Sequence, residues 1–495
     1  MDIRLTQKSA LPKAAEVDAI IDWVVVVPAG ADMKVWAKFP AGVVLHERAS
    51  RRPGGIKKNA AWSTTLPNAI GSHVTCAALD EKATTFERLT LARQLLAGHK
   101  EFQPEEIGLA IVGFKVKPAE QMAEALISAT LAAAAPMPDM RSKPDKRRKL
   151  TTIHLYGCAP AHRFRRTYAE LEGSSLARYL ATLPPTELTP TTYRQRVAAL
   201  AKEHHLAMEF YDVDTLRKKK AGAFLAVAQG SPVPDAGILR LRYKPSRKTT
   251  MAPIALVGKG ICFDTGGINV KPAKFMLGMQ GDMQGSAVAL GTLLALARLK
   301  APYPVEAWLA LAMNHVGPKG YKPTDVVTAS NGTTIEVIHT DAEGRMVLSD
   351  TLALCSQTKP RLIIDYATLT GTCVQAIGKG YSGAFTNRPE WWQTLIKAGQ
   401  ESGERIWPFP LPPDYEKMLE SQIADTKQCA EEGPVDHILA ARFLSRFVGE
   451  GIPWLHLDLS SASNREGLAH VPTHFNGFGV RLTLNLLLDQ HLAGT

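Results

Sequence analysis

The sequence predicts an α/β chain in two parts. A C-terminal domain has a central, mostly parallel mixed sheet flanked by helices, and a smaller α/β domain precedes it. Three observations carry this expectation. The 495 residues exceed what one ordinary core supports. Strand-like and helical runs alternate through the C-terminal two thirds, the pattern of a parallel sheet. Glycine-punctuated loops rich in acids and lysines follow two of those runs, as expected where a sheet of this kind binds ligands.

In chain order, residues 1–160 form the N-terminal domain. Trp23–Val27, Gly108–Val112 and Thr152–Tyr156 read as strands, and the Ala-rich Ala119–Ala134 as a buried helix. No constellation of reactive side chains stands out in this part. Residues 161–185 form a linker helix over Thr167–Leu183, ended by Pro184 and Pro185. Residues 186–495 form the larger domain, opened by a helix over Thr191–His204 with Pro190 at its start. Strands are expected at Ala207–Tyr211, Phe224–Val227, Ile238–Tyr243, Ile254–Val257, Val305–Leu311, Thr334–Ile338, Leu362–Ile364 and Trp454–Leu457. Helices are expected at Met283–Leu299, Arg345–Cys355, Pro389–Ser402, His437–Phe447 and Gly479–Leu488.

Composition narrows the function classes. The apolar fraction of 45% and charged fraction of 21% are those of a globular protein. No apolar stretch approaches the roughly 20 residues of a membrane span. The first residues, MDIRLTQKSALPK, carry no apolar core of a secretory signal, and a cytoplasmic location is expected. Six scattered cysteines without C-x-x-C spacing indicate neither a disulfide framework nor a zinc ribbon. The net charge of +11, with its densest basic run at Arg141–Lys149, motivates a reading as a nucleic-acid binder. A solvated basic loop explains that run more simply.

H-E-x-x-H, G-x-S-x-G and phosphate-loop motifs are absent. The segment VGKGICFDTGGINVKP, residues 257–272, instead supplies Lys259, Asp264 and Lys271. Asp282 follows just before an apolar helix, and HTDAEGR, residues 339–345, adds Asp341, Glu343 and Arg345. Four clustered carboxylates repel one another unless cations share the site. Two divalent metals would balance them; carboxylate oxygens suit Mn, Zn or Mg. Such a pair, about 3.5–4 Å apart, can hold a bridging hydroxide and polarise a carbonyl. A lysine beside them ligates only as the neutral amine. Taken singly, Asp282 and Asp341 read equally well as helix N-caps; together with two lysines and an arginine the group points to a site.

These segments resemble the two signatures of the leucine aminopeptidase (cytosol aminopeptidase) family of di-metal peptidases. The resemblance continues through DYATLTG (365–371), RIWPFPL (405–411), SQIADTK (421–427), WLHLDLS (454–460) and GFGVRL (477–482). It extends more weakly through LATLPPTELTP (180–190) and AVAQGS (226–231), and so covers roughly 175–495. It implies a metal-dependent aminopeptidase that hydrolyses the N-terminal residue of peptides by a two-metal, bridged-hydroxide mechanism. Asp264 and Glu343 would bridge the metals, Lys259 and Asp282 would complete one shell, and Asp341 the other. Lys271 would stabilise the oxyanion, and Arg345 would hold a bicarbonate acting as general base. Met279, Thr368, Leu369 and Gly371 would frame the pocket for the N-terminal side chain. The substrate would be a peptide with a free N-terminus, and the assembly a homohexamer. A DNA-binding or assembly role on the same scaffold, with or without peptidase activity, is the alternative. The chain departs from the family pattern at His339, where Asn is usual, at Ser460 and Ser461, where Ala and Gly are usual, and in Pro184–Pro190, which lacks Asn. These changes are expected to retune the surroundings of the site.

Overall fold

A computed structural model describes residues 3–101, 103–144, 149–159 and 164–494. The chain forms two compact units, Met1–Leu171 with Arg465–His474, and Glu172–Asn464 with Phe475–Thr495. Residues 145–148 of the basic run Arg141–Lys149 lie outside the described residues.

The first unit carries a six-stranded sheet in the order Arg4–Lys8, Thr152–Tyr156, Glu106–Ile111, Asp22–Pro28, His73–Leu79, Trp62–Thr65. All neighbours run parallel except the last pair. The uninterrupted apolar run DWVVVVP suits a parallel strand covered on both faces. Pleating sends Trp23, Val25 and Val27 into one core and Val24 and Val26 into the other. The Ala-rich segment forms the helix Val116–Ala134, packed into the second of these cores.

The second unit carries an eight-stranded sheet in the order Ile406–Pro408, Ser382–Thr386, Trp454–Asp458, Leu362–Ala367, Ile254–Asp264, Val305–Asn314, Gly237–Tyr243, Ala207–Asp212. Its four middle strands, from Trp454–Asp458 to Val305–Asn314, are parallel, and antiparallel pairs flank them. The chain runs from Ile254–Asp264 to Val305–Asn314 on one side, then returns to Leu362–Ala367 on the other. That reversal creates a crevice at the carboxyl ends of these strands. The helices Gln284–Arg298 and Glu343–Ser356 are buried along nearly their whole length. Gly258 and Gly285 permit the close approach of strand and helix. A Cβ on Gly258 would stand 2.4 Å from the Gly285 carbonyl oxygen.

Three expectations are corrected. Phe224–Val227 is not a strand; it lies in the helix Gly222–Ala228. A four-residue apolar run is ambiguous by periodicity, and here Asp350 settles it by accepting the Phe224 N–H at 2.8 Å in the helix's first turn. Thr334–Ile338 is not a strand of the main sheet. Only Thr334–Glu336 is extended, in a separate three-stranded sheet with Val326–Thr328 and Thr426–Lys427. The strand at Ile254 does not end at Val257 but continues to Asp264, so Lys259 stands on the strand itself.

Asp350 also accepts the Ser330 N–H at 2.6 Å, and burial lifts its carboxyl to about 6 despite these bonds. Asp350→Ala leaves two backbone donors without their partner. It is expected to cost about 3 kcal/mol; a loss below about 1 kcal/mol in denaturant melts would show that water replaces the carboxylate.

All six cysteines are free and buried. No helix among the described residues is long and apolar enough to cross a membrane.

Candidate metal centre

The strand Ile254–Asp264 places Lys259 and Asp264 at its carboxyl half, and the crevice gathers the rest. Lys259 Nζ lies 2.9 Å from Asp282 Oδ2 and 2.8 Å from Glu343 Oε1, and donates to the Thr368 carbonyl at 3.1 Å. Lys271 Nζ lies 2.9 Å from Asp264 Oδ2 and 2.6 Å from Asp341 Oδ1. Asp264, Asp341 and Glu343 each offer an oxygen within 4.8 Å of the others. Neither Asp282 nor Asp341 is the N-cap of the α-helix that follows it. Met283 and Ala342 occupy the cap positions, and neither side chain makes a capping bond.

The electrostatics are those of a centre short of positive charge. Four carboxylates face two ammonium groups. Burial, then the repulsion of neighbouring carboxylates, lifts Asp341 to about 7 and Glu343 to about 8; Lys271 and Lys259 oppose the rise. Burial lifts Asp282 to about 6, and Lys259 opposes it. Burial pulls both lysines down, but the carboxylates outweigh it and hold them above the ordinary range. Asp282 Oδ2, Asp341 Oδ1 and Glu343 Oε1 are buried and are met only by these lysine ammonium groups. Hard oxygen donors and surplus negative charge in a buried crevice fit divalent cations.

Asn314, at the end of the strand Val305–Asn314, escaped the sequence reading. Its Nδ2 donates to Asp264 Oδ1 at 2.8 Å and to the Thr340 carbonyl at 3.0 Å, and lies 3.4 Å from Glu343 Oε2. A buried amide at a strand's carboxyl end was the available signal. Asp458 was also missed as an individual residue. It accepts the Leu369 N–H at 3.2 Å and the Thr370 hydroxyl at 2.6 Å, fixing the loop that carries Thr368. Thr368 in turn donates its hydroxyl to Asp282 Oδ1 at 2.7 Å.

A cavity of about 620 Å³ opens onto the cluster. Lys259, Asp264, Lys271, Met279, Asp282, Asp341, Arg345, Thr368, Leu369 and Gly371 all line it, while Glu343 is buried behind it. Met279 is half-buried at the wall, not a core methionine. Arg345 does not present a free guanidinium: its NH2 donates to Asp436 Oδ2 at 2.6 Å. His339 accepts the Asp341 N–H on Nδ1 at 3.2 Å and lines the same cavity. The Ser460 hydroxyl is committed to the Tyr381 carbonyl at 2.8 Å, and Ser461 to Ser382 at 2.5 Å. Both extra hydroxyls are therefore partnered inside the protein.

The fold and the cluster define an α/β protein with a buried carboxylate–lysine centre suited to divalent cations. The family model described as the cytosol aminopeptidase family, catalytic domain, matches residues 175–484. Proteins named probable cytosol aminopeptidase are similar: one from Bradyrhizobium is 41% identical over 324 residues, and one from Wolbachia pipientis 42% over 326. Each match covers 65% of this chain and 64% of the relative, so the aligned part spans just under two thirds of the relatives' length. Among solved structures, the bottromycin maturation enzyme BotP in complex with Mn is 30% identical with a TM-score of 0.81, covering 96% of this chain and 100% of that one. A tomato leucine aminopeptidase mutant is 26% identical with a TM-score of 0.85, covering 98% and 96%. The chain belongs to the cytosol aminopeptidase family.

Proposed function

We propose that this chain is a metal-dependent aminopeptidase that releases the N-terminal residue from peptides in the cytoplasm. The observation that carries the reading is the largely buried group of four carboxylates and two lysines gathered in the crevice at the carboxyl ends of the central strands, open to one cavity. The family membership supports it, as does the Mn in the BotP structure.

Two divalent ions, Mn or Zn with Mg as a further candidate, would supply Lewis acidity toward the scissile carbonyl and a water acidic enough to react near neutral pH. Asp264 and Glu343 would be shared between them, with Lys259 and Asp282 completing one shell and Asp341 the other. Lys259 gives up its proton in that role, since only the neutral amine ligates. Lys271 stands across the carboxylates at the cavity wall, where its charge stabilises the developing oxyanion. Arg345 holds the Asp436 carboxylate at the same wall. Met279, Thr368, Leu369 and Gly371 frame the space for the first side chain. Thr368 also orients Asp282 and Lys259.

Assembly as a homohexamer is part of this reading. The segment 268–277 leaves Ile268, Val270, Phe275 and Leu277 exposed, large apolar side chains that a partner subunit would cover.

A pair of peptides tests the activity. The metal-loaded protein should release leucine from a leucyl peptide and leave its N-acetylated form intact; equal cleavage of both would rule out recognition of the free amine. Gly344 provides a structural check. A Cβ there would stand 2.6 Å from Lys259 Cε and 2.7 Å from its Nζ. Gly344→Ala is expected to displace that lysine and weaken metal binding about 10–100-fold. Unchanged affinity by competition with a chelating dye would show that Lys259 is not held there.

A further inference from the structure

We infer that Asp436 is a built-in catalytic carboxylate, held by Arg345 in the place where the family resemblance puts a dissociable bicarbonate. The inference rests on the aminopeptidase reading above and deepens it. Arg345 is only 2% exposed, and both of its terminal nitrogens already hold an oxygen. NH2 donates to Asp436 Oδ2 at 2.6 Å and NH1 to the Gln428 carbonyl at 3.3 Å. A free anion of this size takes a two-donor grip from a guanidinium. Here that grip is broken up and the charge is matched by an aspartate of the same chain. Among the described residues only Nε is left without a partner, one donor where a bicarbonate needs two, so a bicarbonate at Arg345 does not fit this arrangement.

Asp436 is placed to do more than neutralise. It is the first residue of the helix Asp436–Ser445, a third of its side chain is exposed, and it lines the cavity that Lys271 and Asp341 also line. Among the described residues nothing hydrogen-bonds its Oδ1. Burial alone would raise its carboxyl, but the charge and hydrogen bond of Arg345 outweigh that and hold it below the ordinary range. The carboxylate therefore faces the cavity ionised.

The proton balance closes on this residue. As water adds to the scissile carbonyl, a C–O bond forms, one O–H bond breaks, and the proton passes to Asp436. As the C–N bond breaks, the proton passes from Asp436 to the leaving nitrogen, and the carboxylate is regenerated. No reactant besides water and peptide is consumed. An acidic residue in a first turn also favours its own helix, so the test must separate chemistry from helix stabilisation.

The experiment compares the Mn-loaded wild type, Asp436→Ala and Asp436→Asn in bicarbonate-free buffer, with and without added bicarbonate or formate. Calorimetric titration of bicarbonate into each protein provides a second readout. Wild-type kcat should not respond to bicarbonate. Both variants should lose about 10²-fold or more in kcat. Asp436→Ala should recover at least tenfold with bicarbonate or formate, and bind bicarbonate in the calorimeter. Asp436→Asn should not recover, because its amide fills the space. Wild type stimulated by bicarbonate, wild type that binds it as well as Asp436→Ala, a variant with unchanged turnover, or an Asp436→Ala loss without rescue would each overturn the inference. A wild type inactive on every peptide would defeat the aminopeptidase reading instead, and the calorimetry would still decide whether Asp436 fills the anion site.

Discussion

Glu343→Gln is expected to lower kcat/KM for peptide hydrolysis by about 10³-fold or more, roughly 4 kcal/mol of transition-state stabilisation. The change keeps the side chain's size and removes its charge. Glu343 is buried at the first position of its helix, 2.8 Å from Lys259 and near Asn314, and is one of three acids whose oxygens converge. Without its charge, Asp264 alone would be left to link the two cations. The bound-metal content should fall by one ion per chain while the fold persists, because the helix Glu343–Ser356 is held along its whole length by the core. Normal turnover with full metal content would remove Glu343 from the centre.

Removing the metals should invert the pH dependence of stability. In the metal-free protein, Asp282, Asp341 and Glu343 are lifted to about 6, 7 and 8, first by burial and then by the repulsion of neighbouring carboxylates. Their unfolded counterparts titrate near 4. Between roughly pH 4 and pH 8 the folded state therefore binds more protons than the unfolded one, and stability falls as pH rises. In the loaded protein the cations replace those protons. Their stabilisation, about 4 kcal/mol when free metal exceeds Kd a thousandfold, grows as the carboxylates ionise. Thermal melts of stripped and Mn-loaded protein should nearly coincide at pH 5 and separate widely at pH 8. A gap that widened on acidification would contradict the placement of the cations among these carboxylates.

The fold was legible where a local signal agreed with its surroundings. The run Trp23–Val27 and the helix after Asp282 are apolar and bounded, and the structure keeps both with each boundary shifted by a single residue. Phe224–Val227 failed because four apolar residues carry no period, and a carboxylate distant in sequence, Asp350, decides the matter. Thr334–Ile338 failed because its strand is completed in a separate small sheet by Thr426–Lys427, a segment about 90 residues away. The ligand candidates were legible because charged residues between glycines are costly to explain by structure alone. Asn314 and Asp458 were not, since each acts through contacts 26 to 89 residues away in sequence. Asp436 was hidden for the same reason: only the fold brings it to Arg345.

Whether the chain works as a two-metal aminopeptidase is decided by titrating the stripped protein with Mn while following release of leucine from a leucyl peptide. No release is expected without metal, and the rate should rise with added Mn and saturate at two equivalents per chain. Full activity in the stripped protein, or no release at any Mn concentration from a folded chain, would contradict that role.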